Sequence, residues 1–178
     1  MPVRRFAIPS LLALTLAPAL AAPTALPPPW LPLAPGAARC EVAGGSAELR
    51  NAALRFALSA HDGVLAPAAF DNGFTQAPHA LKGELFSVTT RARTRLGSND
   101  FRLDAAPVCE AVAARPEAAR ASERRPGVAL RAALTEAATG LRVTWRAVLR
   151  DGTNYVREEV RFESAKEDRK STRLNSSH

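Results

Sequence analysis

An antiparallel, all-β sandwich is the fold class this sequence predicts, on three observations. Apolar and polar residues alternate with a period of two in "NAALRFALSA", "ELFSVTTRAR" and "LRVTWRAVLR", as they do in half-buried strands. Turn-forming residues, Asp62-Gly63, Gly97-Ser98-Asn99 and Asp151-Gly152, bound these runs at the spacing of short sandwich strands. The alanine-rich, charged stretch "EAVAARPEAARASERRPG" is cut by Pro116 and Pro126 into pieces too short to be stable helices alone. It is expected to be a long surface connection with at most a short helix.

The chain has 178 residues and is 47% hydrophobic, enough for one domain with a sizeable core and hardly two. Its two ends reduce the part that builds the core. Arg4 and Arg5 precede an apolar run closing on Ala19-Leu20-Ala21, which predicts a secretory signal peptide over residues 1–21, cleaved after Ala21. Pro9 and Pro18 interrupt that run, and it is short for a bilayer span. The "RRFAIPS" stretch carries only the front of a twin-arginine motif, so general secretion is expected. The predicted location is secreted or periplasmic, with no membrane attachment after cleavage.

Residues 22–39, "APTALPPPWLPLAPGAAR" up to the first cysteine, are proline-rich and predict an extended linker in which Trp30 is an ordered or docking aromatic. The β-sandwich is expected over residues 40–167. Residues 168–178, "DRKSTRLNSSH", resemble non-native sequence joined during assembly and are set aside from the fold, together with the sequon-like Asn175-Ser176-Ser177.

The net charge of +7 raises the question of nucleic acid, since lysine and arginine neutralise phosphates. Arg4 and Arg5, with Arg169, Lys170 and Arg173 set against Asp168, carry four of those charges and leave +3 on the rest. The remaining arginines are not clustered with aromatics but fall at every second residue in strands, as on a solvated face, so no nucleic-acid partner is expected. Cys40 and Cys109 are the two cysteines. In an oxidising compartment they form a possible disulfide, and the sequence leaves their pairing open.

The strongest local pattern is "LRVTWRAVLRDGTNYVREEVRF". Leu141, Val143, Trp145, Ala147 and Leu149 fall on one face of a strand, and Arg142, Thr144, Arg146 and Arg150 mostly on the other. Asp151-Gly152 turns the chain, and Val156, Val160 and Phe162 give the returning strand its apolar face, so a β-hairpin is expected. Glu158 and Glu159 are adjacent and point to opposite faces, which rules out the facing carboxylate pair of glycoside hydrolysis. Cross-strand pairing with arginines is their expected role.

The sequence holds no nucleophile elbow, phosphate loop, dinucleotide fingerprint or His-Glu-x-x-His pattern. His61 and His79 are isolated and read as surface loop residues. Asp71-Asn72-Gly73 reads first as a turn, with sugar or calcium binding as the functional alternative. No catalytic residue, metal ligand or cofactor site is assigned.

The segment "GLRVTWRAVLRDGTNYVREEVRF", and within it Asp151 to Arg157, resembles the amino-terminal β-domain of α-galactosidase-like (melibiase-type) glycoside hydrolases. "GELFSV" followed by "SNDFRL" is similar to an earlier strand pair of that domain. The resemblance implies a large two-sheet supersandwich-like domain, expected to be truncated in this chain, whose partner is a downstream (β/α)8 barrel of the same protein. The catalytic aspartates of such enzymes lie in that barrel, so carbohydrate would be reached only through it and this chain would be inactive alone. Asn154, Tyr155 and Arg157 match the family pattern and inherit a structural or domain-interface role, with Trp145 beside them. A buried tyrosine hydroxyl and an arginine fork, each with fixed partners, would explain a specific turn. Two alternatives stay open: a stand-alone secreted sandwich that binds glycans or a protein, and the N-terminal domain of another carbohydrate-active enzyme, an α-glucosidase or polysaccharide lyase.

Overall fold

The computed structural model describes residues 34–75 and 77–163. The expected signal peptide, Trp30, most of the proline-rich segment and the serine-rich tail lie outside them. Within them the chain is an antiparallel β-sandwich. One sheet is a meander of five strands in the order β1 (Arg39–Ala43), β2 (Ser46–Arg50), β3 (Leu54–His61), β4 (Val64–Asn72) and β5 (Ala77–Ala80). A two-stranded ribbon, β6 (Ser87–Thr89) and β7 (Arg95–Gly97), then leads into the second sheet. There β12 (Arg157–Glu163), β11 (Arg142–Arg150) and β10 (Gly127–Thr135) lie side by side. The far edge of β10 is shared by β8 (Arg102–Leu103) and β9 (Val108–Val112), which pair with different ends of it.

Two tight turns set the register of the first sheet. Gly44-Gly45 and Asp62-Gly63 all have positive φ, as a two-residue type I′ hairpin turn requires. In β4 the pairing slips between Ala57 and Leu58, which face Ala69 and Pro67, so Ala68 is the extra residue of a bulge. Pro67 sits beside that bulge, where its missing amide costs the ladder least.

The inner faces follow from the alternation. Leu49 and Phe56 pair across β2 and β3, and Ala132, Trp145 and Val160 form a row across β10, β11 and β12. Leu49, Leu58, Leu65, Phe101, Leu130, Leu134, Val143, Trp145 and Leu149 are essentially inaccessible to solvent, and each such side chain contributes roughly 1.5–3 kcal/mol of transfer free energy. Phe86 closes one margin, meeting Phe101 and Phe162 edge-on at centroid distances of 5.4 and 5.9 Å.

Cys40 and Cys109 are joined by a disulfide with Cα atoms 5.8 Å apart. Cys40 pairs with Leu49 and Cys109 with Leu130, so the bridge runs between the inner faces and ties the sheets together.

Three expectations change. "ELFSVTTRAR" is not one strand: only Ser87–Thr89 is extended, and Arg93, at φ 61°, turns the chain back toward Arg95. The expected surface connection begins later, because Glu110, Ala111 and Val112 pair with Ala129, Val128 and Gly127. Its helical content is a single 3₁₀ turn, Ala121–Arg124. Among the described residues Glu158 makes no arginine pair: it lies opposite Ala147, on the strand face of Val160 and Phe162, and at the exposed margin of that face Trp145 donates to it.

Candidate functional site

The distinctive loop between β11 and β12 is braced from three sides. The Asp151 carboxylate accepts a hydrogen bond from the Ala38 amide at 2.8 Å, and the Gly152 amide donates to the Gly36 carbonyl at 2.8 Å. The Thr153 carbonyl accepts from the Asn51 side-chain amide at 2.7 Å. Asn51 also accepts the Ala53 and Leu54 amides through Oδ1 at 2.9 and 3.1 Å, so one side chain orders its own turn and pins the loop of the other sheet. From the third side Arg125 donates to the carbonyls of Asp151 and Gly152 at 3.4 and 3.2 Å. Gly152 is at φ 69°, where an L side chain is strained, and a Cβ there would lie 2.0 Å from the Arg125 guanidinium, whose flexible end would have to move aside.

The four residues singled out from sequence do not converge. Trp145 is fully buried on the inner face, and its indole Nε1 donates to Glu158 Oε2 at 3.0 Å. Asn154 is exposed. Tyr155 is 48% exposed, and its hydroxyl has no hydrogen-bond partner among the described residues, so the expected buried tyrosine is corrected: the Tyr155 ring stands at the surface. Arg157 does have fixed partners, since Nη1 donates to Glu123 at 2.7 Å and Nε to Glu159 at 2.9 Å.

Arg157 belongs to an ionic array on the outer face of the second sheet. Glu159 also takes Arg146 at 3.2 Å, Arg146 reaches Glu110 at 3.5 Å, and Glu110 pairs with Arg131. Glu123, on the 3₁₀ turn, takes Arg115 at 3.4 Å and Arg120 at 3.9 Å besides Arg157. Such exposed pairs contribute little stability one by one, and their effect is to fix side-chain directions. For Glu159, burial opposes ionisation, but the hydrogen bonds from Arg157 and Arg146 outweigh it and hold the carboxyl below its ordinary range. The Arg157 hydrogen bond is the main cause of the same lowering at Glu123.

Between these side chains lies an open cleft of about 440 Å³ lined by Arg115, Arg146, Arg150, Arg157, Glu123 and Glu159. Tyr155 stands at its end, in an adjoining notch that shares Glu123, Arg150 and Arg157. Sequence reasoning missed Arg115, Glu123 and Arg150 as members of one site. Alternation placed Arg146 and Arg150 on the outer face, but nothing local shows that the 115–125 loop folds back over it.

The expected turn at Asp71-Asn72-Gly73 begins later: Asp71 and Asn72 are the last paired residues of β4 and only Gly73 lies in the turn that follows, where the Asn72 side chain accepts the Phe74 amide at 2.9 Å and Asp71 is paired with Arg55 at 2.9 Å. His61 and His79 are at the surface as expected but in strands, not loops, at the end of β3 and in β5. Among the described residues no group of three metal-binding side chains occurs, and no helix is long and apolar enough to cross a membrane. Compared with protein-family models, curated proteins and solved structures, the chain finds no match.

Proposed function

We propose that this chain is a non-catalytic β-sandwich domain of a secreted α-galactosidase-type glycoside hydrolase, whose (β/α)8 barrel hydrolyses terminal α-galactosides. The observation that carries this reading is the braced loop from Asp151 to Arg157. Its backbone is held by Gly36, Ala38, Asn51 and Arg125, yet Asn154 and Tyr155 at its tip are exposed. A rigid loop that presents unpartnered side chains is suited to docking a second domain, because little entropy is lost on contact. The adjacent acids Glu158 and Glu159 lie on opposite faces, so the sandwich itself has no facing pair there for hydrolysis.

The test is hydrolysis of a nitrophenyl α-galactoside by this chain and by the product of its complete reading frame. Activity only in the complete product is expected, with Tyr155→Ala lowering the melting temperature of that product more than that of the sandwich alone. Activity of the sandwich alone, or inactivity of a folded complete product, contradicts the reading. The half-exposed Tyr155 beside a polar cleft favours a second reading, a sandwich that binds glycans itself, which would survive the loss of the first.

A further inference from the structure

The cleft on the outer face of the second sheet is more than an ion-pair array. Its lining holds four arginines and two glutamates, and both glutamates are shared: Glu159 by Arg146 and Arg157, Glu123 by Arg115, Arg120 and Arg157. Arg150 differs from its neighbours. Its Nη1 donates to the carbonyls of Ala113 and Arg125 at 2.7 and 2.6 Å, which fixes the guanidinium plane, but no carboxylate pairs with it among the described residues. A half-buried cation held by dipoles alone retains its Nε and Nη2 donors for an anion, and a guanidinium fork matches a carboxylate in two parallel hydrogen bonds. At the same end of the cleft stands the Tyr155 ring, 48% exposed with an unpartnered hydroxyl.

We propose that this cleft binds an acidic sugar, with Arg150 on the carboxylate, the Tyr155 ring against a face of the pyranose, and Glu123 and Glu159 accepting from its hydroxyls. A volume of about 440 Å³ is in the size class of small-ligand clefts. Nucleic acid fits less well, since a strand requires a longer basic track with several stacking aromatics, and Tyr155 is the single aromatic side chain lining the cleft and its notch. The inference concerns the sandwich alone and does not rest on the hydrolase reading.

The experiment is calorimetric titration of the full chain with trigalacturonic acid and with neutral galactotriose at low ionic strength. Trigalacturonic acid is expected to bind, more weakly as salt is added, and galactotriose at least about tenfold more weakly, the factor that about 1.4 kcal/mol represents. Tyr155→Ala removes no hydrogen bond among the described residues and trims a half-exposed ring, and is expected to change the melting temperature little while weakening binding about tenfold. Arg150→Lys keeps the charge but loses the fork, and is expected to weaken the acidic ligand about tenfold with no effect on the neutral one. Equal affinity for the two sugars, affinity unchanged in Tyr155→Ala, competition by inorganic sulfate at the same concentration as the sugar, or no binding by a natively folded chain would each overturn the proposal.

Discussion

Asn51 and Thr153 are 102 positions apart in the chain and are joined by a 2.7 Å hydrogen bond from the asparagine side chain to the threonine carbonyl. With the Asn51 Oδ1 contacts to Ala53 and Leu54, this couples the β2–β3 turn to the β11–β12 loop. Asn51→Ala leaves three backbone groups without these partners, and is expected to cost about 2–3 kcal/mol, read as a fall in the urea midpoint. Asn51→Asp keeps the two acceptor bonds and is expected to cost less.

The disulfide closes a loop with a sequence separation of 69. On the chain-entropy account, losing it costs about 4 kcal/mol. Cys40→Ala/Cys109→Ala is expected to melt far below the oxidised protein, and thiol titration of the unfolded, unreduced chain, whose two cysteines are Cys40 and Cys109, is expected to find no free thiol.

Trp145 and Glu158 form a second test, of an indole buried in the core with its N–H satisfied at the margin. Trp145→Ala is expected to cost about 3–5 kcal/mol through the cavity it leaves. Glu158→Gln retains an acceptor oxygen and is expected to cost under about 1 kcal/mol, whereas Glu158→Leu, which leaves the N–H unpaired, is expected to cost about 1–3 kcal/mol. Equilibrium denaturation of the three variants separates these cases.

Acid sensitivity follows from three carboxyls held below the ordinary value of 4.5: Glu123, Glu136 and Glu159. For Glu136 the main cause is the Thr139 hydroxyl, followed by the amides of Ala138 and Thr139, all within the β10–β11 turn. A carboxyl with a depressed folded pKa binds its proton more readily when unfolded, so its contribution is fully present above about pH 4.5 and is lost as pH falls through the lower folded value. Melting temperature is therefore expected to be flat through neutral pH and to fall below about pH 4.5. Glu136→Gln is expected to start lower at neutral pH and to fall less steeply in acid.

Much of the architecture was legible because inward and outward residues alternate cleanly. The β11–β12 hairpin follows from Val143, Trp145, Ala147 and Leu149, all buried, and the β3–β4 hairpin from Asp62-Gly63. Strand β10 was hidden: "GVALRAALT" is rich in alanine, which favours helix, and it is strand because β11 pairs along one edge and β8 and β9 along the other. Strands β1 and β2 were also silent, being short and largely polar, with only Gly44-Gly45 between them. At the candidate site the pairing of Arg146 with Glu159 was within reach of cross-strand reasoning. The meeting of Arg157 with Glu123, 34 positions away, was not, because a loop without periodicity has no readable destination. The exposure of Tyr155 was misjudged for a related reason: a tyrosine two residues outside a strand has no face assigned by alternation.

The central claim, that the sandwich serves a catalytic barrel, is most directly tested by reading the coding DNA from the Phe162 codon onward. The expected result is a frame that departs from the serine-rich tail after residue 167 and continues through further strands into a barrel carrying two aspartates at strand ends. A confirmed stop codon directly after His178 would contradict the hydrolase reading and leave the acidic-sugar cleft to be judged alone.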